Sequence, residues 1–142
     1  MRDVAIVIPI YRDKLSRSEL IALTQGVAMF ASYHIFLLCP DGLDTRQIDE
    51  YGSFRKARFS LRHFHGIDSY SRLLLNVEFY KRFIDYEYLL IYQLDAFVFS
   101  DELEYWSGLG YDYIGAPWFG KYWPETLMSH AKKRMSVSEP AW

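Results

Sequence analysis

The chain alternates short apolar runs with amphipathic stretches. Val4 to Ile8 is a β-branched run closed by Pro9, the pattern of a buried strand with a hard stop. Ser16-Arg17-Ser18-Glu19 is a capping-box sequence, and Leu20, Ile21, Leu23, Val27, Met29 and Phe30 carry a largely apolar helix to about residue 31. His34 to Cys39 is a second apolar run, closed by Pro40-Asp41-Gly42. Asp44 to Tyr51 suits a short helix stopped by Gly52. Ala57 to Phe64 alternates, with Phe59, Leu61 and His63 on one side, and predicts a less buried third strand. Ile67 to Ile84 sets Tyr70, Leu73, Leu74, Val77, Tyr80 and Phe83 at helical spacing, which predicts one continuous helix. From Tyr88 the run Y-L-L-I-Y-Q is almost wholly apolar and aromatic, predicting a fourth strand covered on both faces in mid-sheet. A short helix from Ser100 to Trp106 and a short strand from Tyr111 to Ile114 complete the pattern.

Strands alternating with helices predict an α/β fold, with a mostly parallel sheet, right-handed crossovers and helices on both faces. If the first and fourth strands are neighbours, as in the order 3-2-1-4, the crevice between them is the topological switch point, where such folds bind ligands. Tyr11, Asp41 and Asp95 each follow a strand end and so fall along one edge. Taken singly, Asp95 is equally a solvated loop acid or a helix cap, and Asp41 a turn residue before glycine. The first turn, Pro9-Ile10-Tyr11-Arg12, has no glycine to bring backbone amides onto a phosphate. A phosphate ligand here needs other neutralisation, most simply a metal.

Composition narrows the classes. The 142 residues make one domain, and 51% hydrophobic with 24% charged residues marks a globular chain. The 18% aromatic content is high; such rings usually build the core, and an excess also suits a site that stacks bases or sugar rings. A net charge of −2 provides no broad basic field for nucleic acid or an anionic membrane. Cys39 is the single cysteine, a small buried hydrophobe with no disulfide partner. No apolar run reaches the length of a membrane span or signal peptide, so a cytoplasmic location is expected. His63 and His65 share a face in extended chain, a conceivable metal pair lacking a third ligand. Lys132-Lys133-Arg134 reads as a solvated face.

The runs V-A-I-V-I-P-I-Y-R, F-L-L-C-P-D-G-L-D and L-L-I-Y-Q-L-D-A-F-V-F resemble, in this order, the first half of a GT-A (Rossmann-like) glycosyltransferase, an αβα sandwich. The motifs S-Y-S-R-L-L-L-N, Y-Q-L-D-A-F-V-F-S-D-E-L and Y-D-Y-I-G-A-P-W resemble more closely the glycosyltransferase-like domain-of-unknown-function family 5672. The resemblance implies a nucleotide-sugar-binding half at 1–120, an uncertain segment at 121–142, and a domain continuing past the present C-terminus.

It further implies that Pro9 and Tyr11 hold the nucleotide base, that Asp41 reads it, and that Arg72 contacts phosphate. Asp95 falls in the Asp-X-Asp region, where carboxylates bind Mn²⁺ or Mg²⁺ bridging a donor diphosphate, and Gln93, Phe97 and Trp118 line the site. The motif reads Leu94-Asp95-Ala96-Phe97, with Phe97 in place of the second acid, or alternatively Gln93-Leu94-Asp95 with the first replaced. Either way one carboxylate is missing, which predicts weaker metal binding or a contact from elsewhere. The implied reaction is sugar transfer from a nucleoside-diphosphate donor, UDP-sugar favoured, to a glycan or glycoconjugate hydroxyl. The alternative is a non-catalytic nucleotide- or sugar-binding module, or an inactive truncated remnant, of the same fold.

Overall fold

The computed structural model describes residues 4–115. Four strands, β1 (Val4–Pro9), β2 (His34–Pro40), β3 (Arg55–Phe59) and β4 (Tyr88–Ile91), form an all-parallel sheet in the order β3-β2-β1-β4. Between and after them run α1 (Arg17–Met29), α2 (Arg46–Asp49), α3 (Ile67–Leu74), α4 (Val77–Lys81) and α5 (Leu103–Ser107). This is a Rossmann-like α/β arrangement with the expected strand order.

The alternation in β1 explains its central place. Val4, Ile6 and Ile8 enter a core with Ala22 and Leu23 of α1, while Ala5 and Val7 enter a second core with Leu73 of α3 and Phe79 of α4. Both faces are therefore covered, and Val4 to Ile8 are buried throughout. The first core also takes Ile35, Leu37 and Cys39 of β2, with Cys39 the expected buried thiol.

α1 starts as its sequence dictates. Ser16 accepts from the Glu19 amide at 3.3 Å, and Glu19 accepts from the Ser16 amide at 2.7 Å, closing the capping box.

Four expected elements differ. β4 is four residues long and half-buried, and among the described residues it ends the sheet, so β1 takes the central position expected for it. With a strand on one side only, its apolar residues stay partly open. β3 stops at Phe59, because Leu61–Phe64 wind into a 3₁₀ turn closed by His63 N–H to the Ser60 carbonyl. His63 and His65 therefore do not lie on an extended strand. The expected helix Ile67–Ile84 is two helices, since the Asn76 side chain accepts from the Glu78 amide at 2.9 Å and starts a new one. Tyr111–Ile114 carry no strand and are exposed.

The compact unit holding the sheet runs to Gly110. The expected boundary at 120, the segment 121–142, Trp118 and Lys132-Lys133-Arg134 lie outside the described residues. Among the described residues no helix is long and apolar enough to cross a membrane.

Candidate functional site

The chain leaves β4 through a tight connection that fixes Asp95. Tyr92 continues the pairing, its amide donating to the Val7 carbonyl at 2.9 Å, and Ala96 N–H donates to the Gln93 carbonyl at 3.0 Å to close a turn. Leu94 is buried in the α1 core, which leaves Asp95 on the exposed side of that turn. Tyr92 ties the turn to α1, its hydroxyl lying 2.9 Å from the Ala22 carbonyl and 3.2 Å from the Ala96 carbonyl. Burial pushes the Tyr92 hydroxyl pKa up, so it remains a donor at neutral pH. Gly26 makes room for the ring: a Cβ there would lie 2.5 Å from Tyr92 Cε1. A second tie comes from Gln25, whose amide donates to the Val98 carbonyl at 3.0 Å.

Between this turn and the first half of α1 lies a cavity of about 550 Å³ lined by Arg12, Ser16, Ser18, Leu94, Asp95 and Phe97, among others. It sits at the carboxyl ends of the neighbours β1 and β4, the switch point of the sheet. Arg12 pairs with Glu19 at 2.5 Å, and its guanidinium lies 5.4 Å from the centroid of the Tyr11 ring. Burial raises the Glu19 carboxyl pKa, but the Ser16 amide and hydroxyl and the Arg12 guanidinium outweigh it and hold the group below its ordinary value. Glu19 is thus a held anion, both oxygens engaged. Asp95 has no hydrogen bond or ion pair with any described residue.

Among the described residues no three His, Cys, Asp or Glu side chains converge as a metal cage. One uncommitted carboxylate fits Mg²⁺ or Mn²⁺ arriving with a phosphate ligand, since such ions bind through one or two carboxylates together with phosphate and water. It does not fit a resident ion held by protein alone.

The other half of the same edge is built differently. Gly42 has φ +79° in the turn after β2, where Leu43 N–H approaches the Pro40 carbonyl at 3.3 Å. Arg58 of β3 donates to the Pro40 carbonyl at 3.1 Å and to the Leu43 carbonyl at 3.2 Å. Asp41 is held there by its backbone, its amide donating to the Phe59 carbonyl at 2.8 Å, while its side chain is exposed.

Of the residues singled out from sequence, Asp95 and Phe97 line the cavity. Pro9 ends β1 in register with Leu38, Tyr11 adjoins the cavity through Arg12, and Asp41 is the first residue of the turn after the neighbouring strand. Arg72 is exposed on α3, and neither it nor Gln93 lines the cavity. Sequence reasoning passed over Arg12, Glu19, Arg58 and Tyr92. For Arg12 a signal was available, a cation in the turn after the first strand, four residues before the capping box.

A family model described as "Protein of unknown function (DUF5672)" matches residues 53–138, more than half of the chain. The chain belongs to this family. The matched span holds Arg72, Gln93, Asp95, Phe97 and Trp118, whereas Pro9, Tyr11, Arg12 and Asp41 precede it. No curated protein and no solved structure matches the chain significantly.

Proposed function

We propose that this chain binds a nucleoside-diphosphate sugar, UDP-sugar favoured, along the carboxyl edge of β1 and β4 and transfers the sugar to a glycan or glycoconjugate hydroxyl. The observation that carries the reading is the uncommitted Asp95 carboxylate in a cavity at the switch point, next to an exposed Tyr11. The likeness of its motifs to GT-A glycosyltransferases supports the same reading.

In this scheme Tyr11, 59% exposed, provides a flat face for the base, and Asp41 accepts hydrogen bonds from it. Arg12 balances only one of the carboxylates Glu19 and Asp95, so an anionic diphosphate enters a site already net negative. Asp95 would hold a divalent cation entering with the donor, and the ion would supply the missing positive charge against the leaving diphosphate. Tyr92 and Leu94 hold the Asp95 turn rigid, so that little reorganisation is needed on binding. In the transfer the acceptor oxygen bonds to the anomeric carbon. The bond to the diphosphate breaks with its electron pair on phosphate, and the acceptor proton passes to a base. The cytoplasm, which keeps Cys39 reduced, is the proposed setting.

The second reading, a non-catalytic binding module, is favoured by Phe97, an aromatic in the place of an acid and 44% exposed at the cavity. Calorimetric titration with UDP and GDP, each with Mn²⁺ and with excess chelator, decides between them. Metal-dependent binding abolished in Asp95→Asn, together with sugar turnover, is the expected result. Metal-independent binding without turnover establishes the module, and no binding by the folded chain overturns both.

A further inference from the structure

We propose that Arg12 is the phosphate-binding residue of the cavity and that Glu19 is its built-in counter-charge, holding the guanidinium in place and setting how strongly the site attracts an anion. This rests on the nucleotide-site reading and names the phosphate contact within it.

Among the described residues Arg12 is the one cation lining the cavity, and Asp95 lines it as well. Its hydrogen bonding to described residues is a single contact, Nη2 to Glu19 Oε1. A guanidinium carries five N–H donors in a planar fork, so most of that fork remains for a ligand. The Arg12 side chain is 48% exposed, and it lies against the ring of Tyr11. A ligand stacked on Tyr11 and reaching Asp95 therefore passes within reach of the guanidinium. As a stabilising ion pair in so exposed a position the contact contributes little, which leaves its place at the cavity unexplained by folding alone.

Glu19 separates the two roles experimentally. Its carboxylate is fixed by the Ser16 amide at one oxygen and by Arg12 at the other, and glutamine serves the same capping position by keeping its single amide oxygen on the Ser16 amide. Glu19→Gln thus removes one negative charge beside the phosphate and releases the guanidinium while keeping the helix start. Arg12→Ala removes the contact itself. The two substitutions must shift phosphate affinity in opposite directions, which a purely structural pair would not do.

The test is calorimetry on the purified full chain with UDP and GDP, each against its nucleoside, in Mn²⁺ and at matched ionic strength. Wild type should prefer one diphosphate to its nucleoside. Arg12→Ala should lose at least tenfold in diphosphate affinity with the nucleoside unchanged, and Glu19→Gln should gain roughly three- to tenfold. Thermal melts confirm that both variants are folded; should Arg12→Ala not fold, Glu19→Gln alone decides by the sign of its shift. Unchanged diphosphate affinity in Arg12→Ala, or weaker affinity in Glu19→Gln, overturns the inference while leaving the nucleotide site standing. Wild type binding neither diphosphate overturns the nucleotide reading and this inference with it.

Discussion

The two corners of the carboxyl edge each carry an arginine, and the arginines are used in opposite ways. At the β2–β3 corner Arg58 is half-buried and spends its donors on the Pro40 and Leu43 carbonyls, so its charge is absorbed in holding a turn. At the β1–β4 corner Arg12 touches a carboxylate and an aromatic face, and lines a cavity together with Asp95. Holding two backbone carbonyls of that turn accounts for Arg58. Nothing comparable explains Arg12. A charged side chain near a sheet edge therefore signals a site only when its donors are not consumed by the fold.

Asp95→Asn should give the largest functional effect at the open corner, a loss on the order of a hundredfold in metal-dependent nucleotide affinity or turnover. Its stability should stay within roughly 0.5 kcal/mol of wild type in urea melts, because the side chain supports nothing in the fold. A large loss of stability would mean that the open corner is structural after all.

Gly26→Ala tests what holds that corner open. An alanine would ordinarily stabilise a helix interior by about 1 kcal/mol. Here its Cβ meets the Tyr92 ring, and the ring bridges α1 to the Asp95 turn. The expected outcome is a destabilisation of roughly 1–3 kcal/mol by overpacking, accompanied by weaker nucleotide binding. An unchanged melting temperature would show that the ring moves freely and does not position Asp95.

Arg58→Ala tests the closed corner. Losing charged hydrogen bonds to two backbone carbonyls should cost about 2 kcal/mol in thermal or urea unfolding. Nucleotide affinity should fall only as far as Asp41 depends on its turn. Should Arg58→Ala remove binding while leaving stability intact, the assignment of the two arginines is reversed.

Much of this geometry was legible in residue order, for physical reasons that are local. A β-branched run and a second apolar run, each ended by proline, gave β1 and β2, and the Ser16 to Glu19 spacing gave the start of α1 because capping needs only four consecutive residues. The order β3-β2-β1-β4 is the common one on which the switch-point reading was conditional, and it puts the Asp95 turn at that point. What failed to show was set by distant partners. Periodicity ran unbroken through Asn76, and only the cap it forms divides α3 from α4. The apolar content of β4 promised a central strand, but centrality depends on which strands flank it, and β1 has two. Arg12 and Arg58 look alike in sequence; the carbonyls that occupy one and the cavity that receives the other are brought there by the fold.

The smallest expected effect concerns Glu19 and acid. Its carboxyl pKa is lowered in the folded chain, so its contribution to stability is fully present above the ordinary carboxylate range and disappears as pH falls through the lowered folded value. Solvent screens a group so near the surface, and the total should remain below roughly 1 kcal/mol. Urea melts of wild type and Glu19→Gln between pH 7 and pH 3 isolate it: wild type should be the more stable at neutral pH, and the gap should close on acidification. Phosphate affinity has the opposite dependence on the same proton, because protonated Glu19 no longer competes for Arg12. A gap in stability that widens toward acid would mean that the Glu19 carboxylate is a burden on the fold, and the open corner would then owe its shape to Arg12 alone.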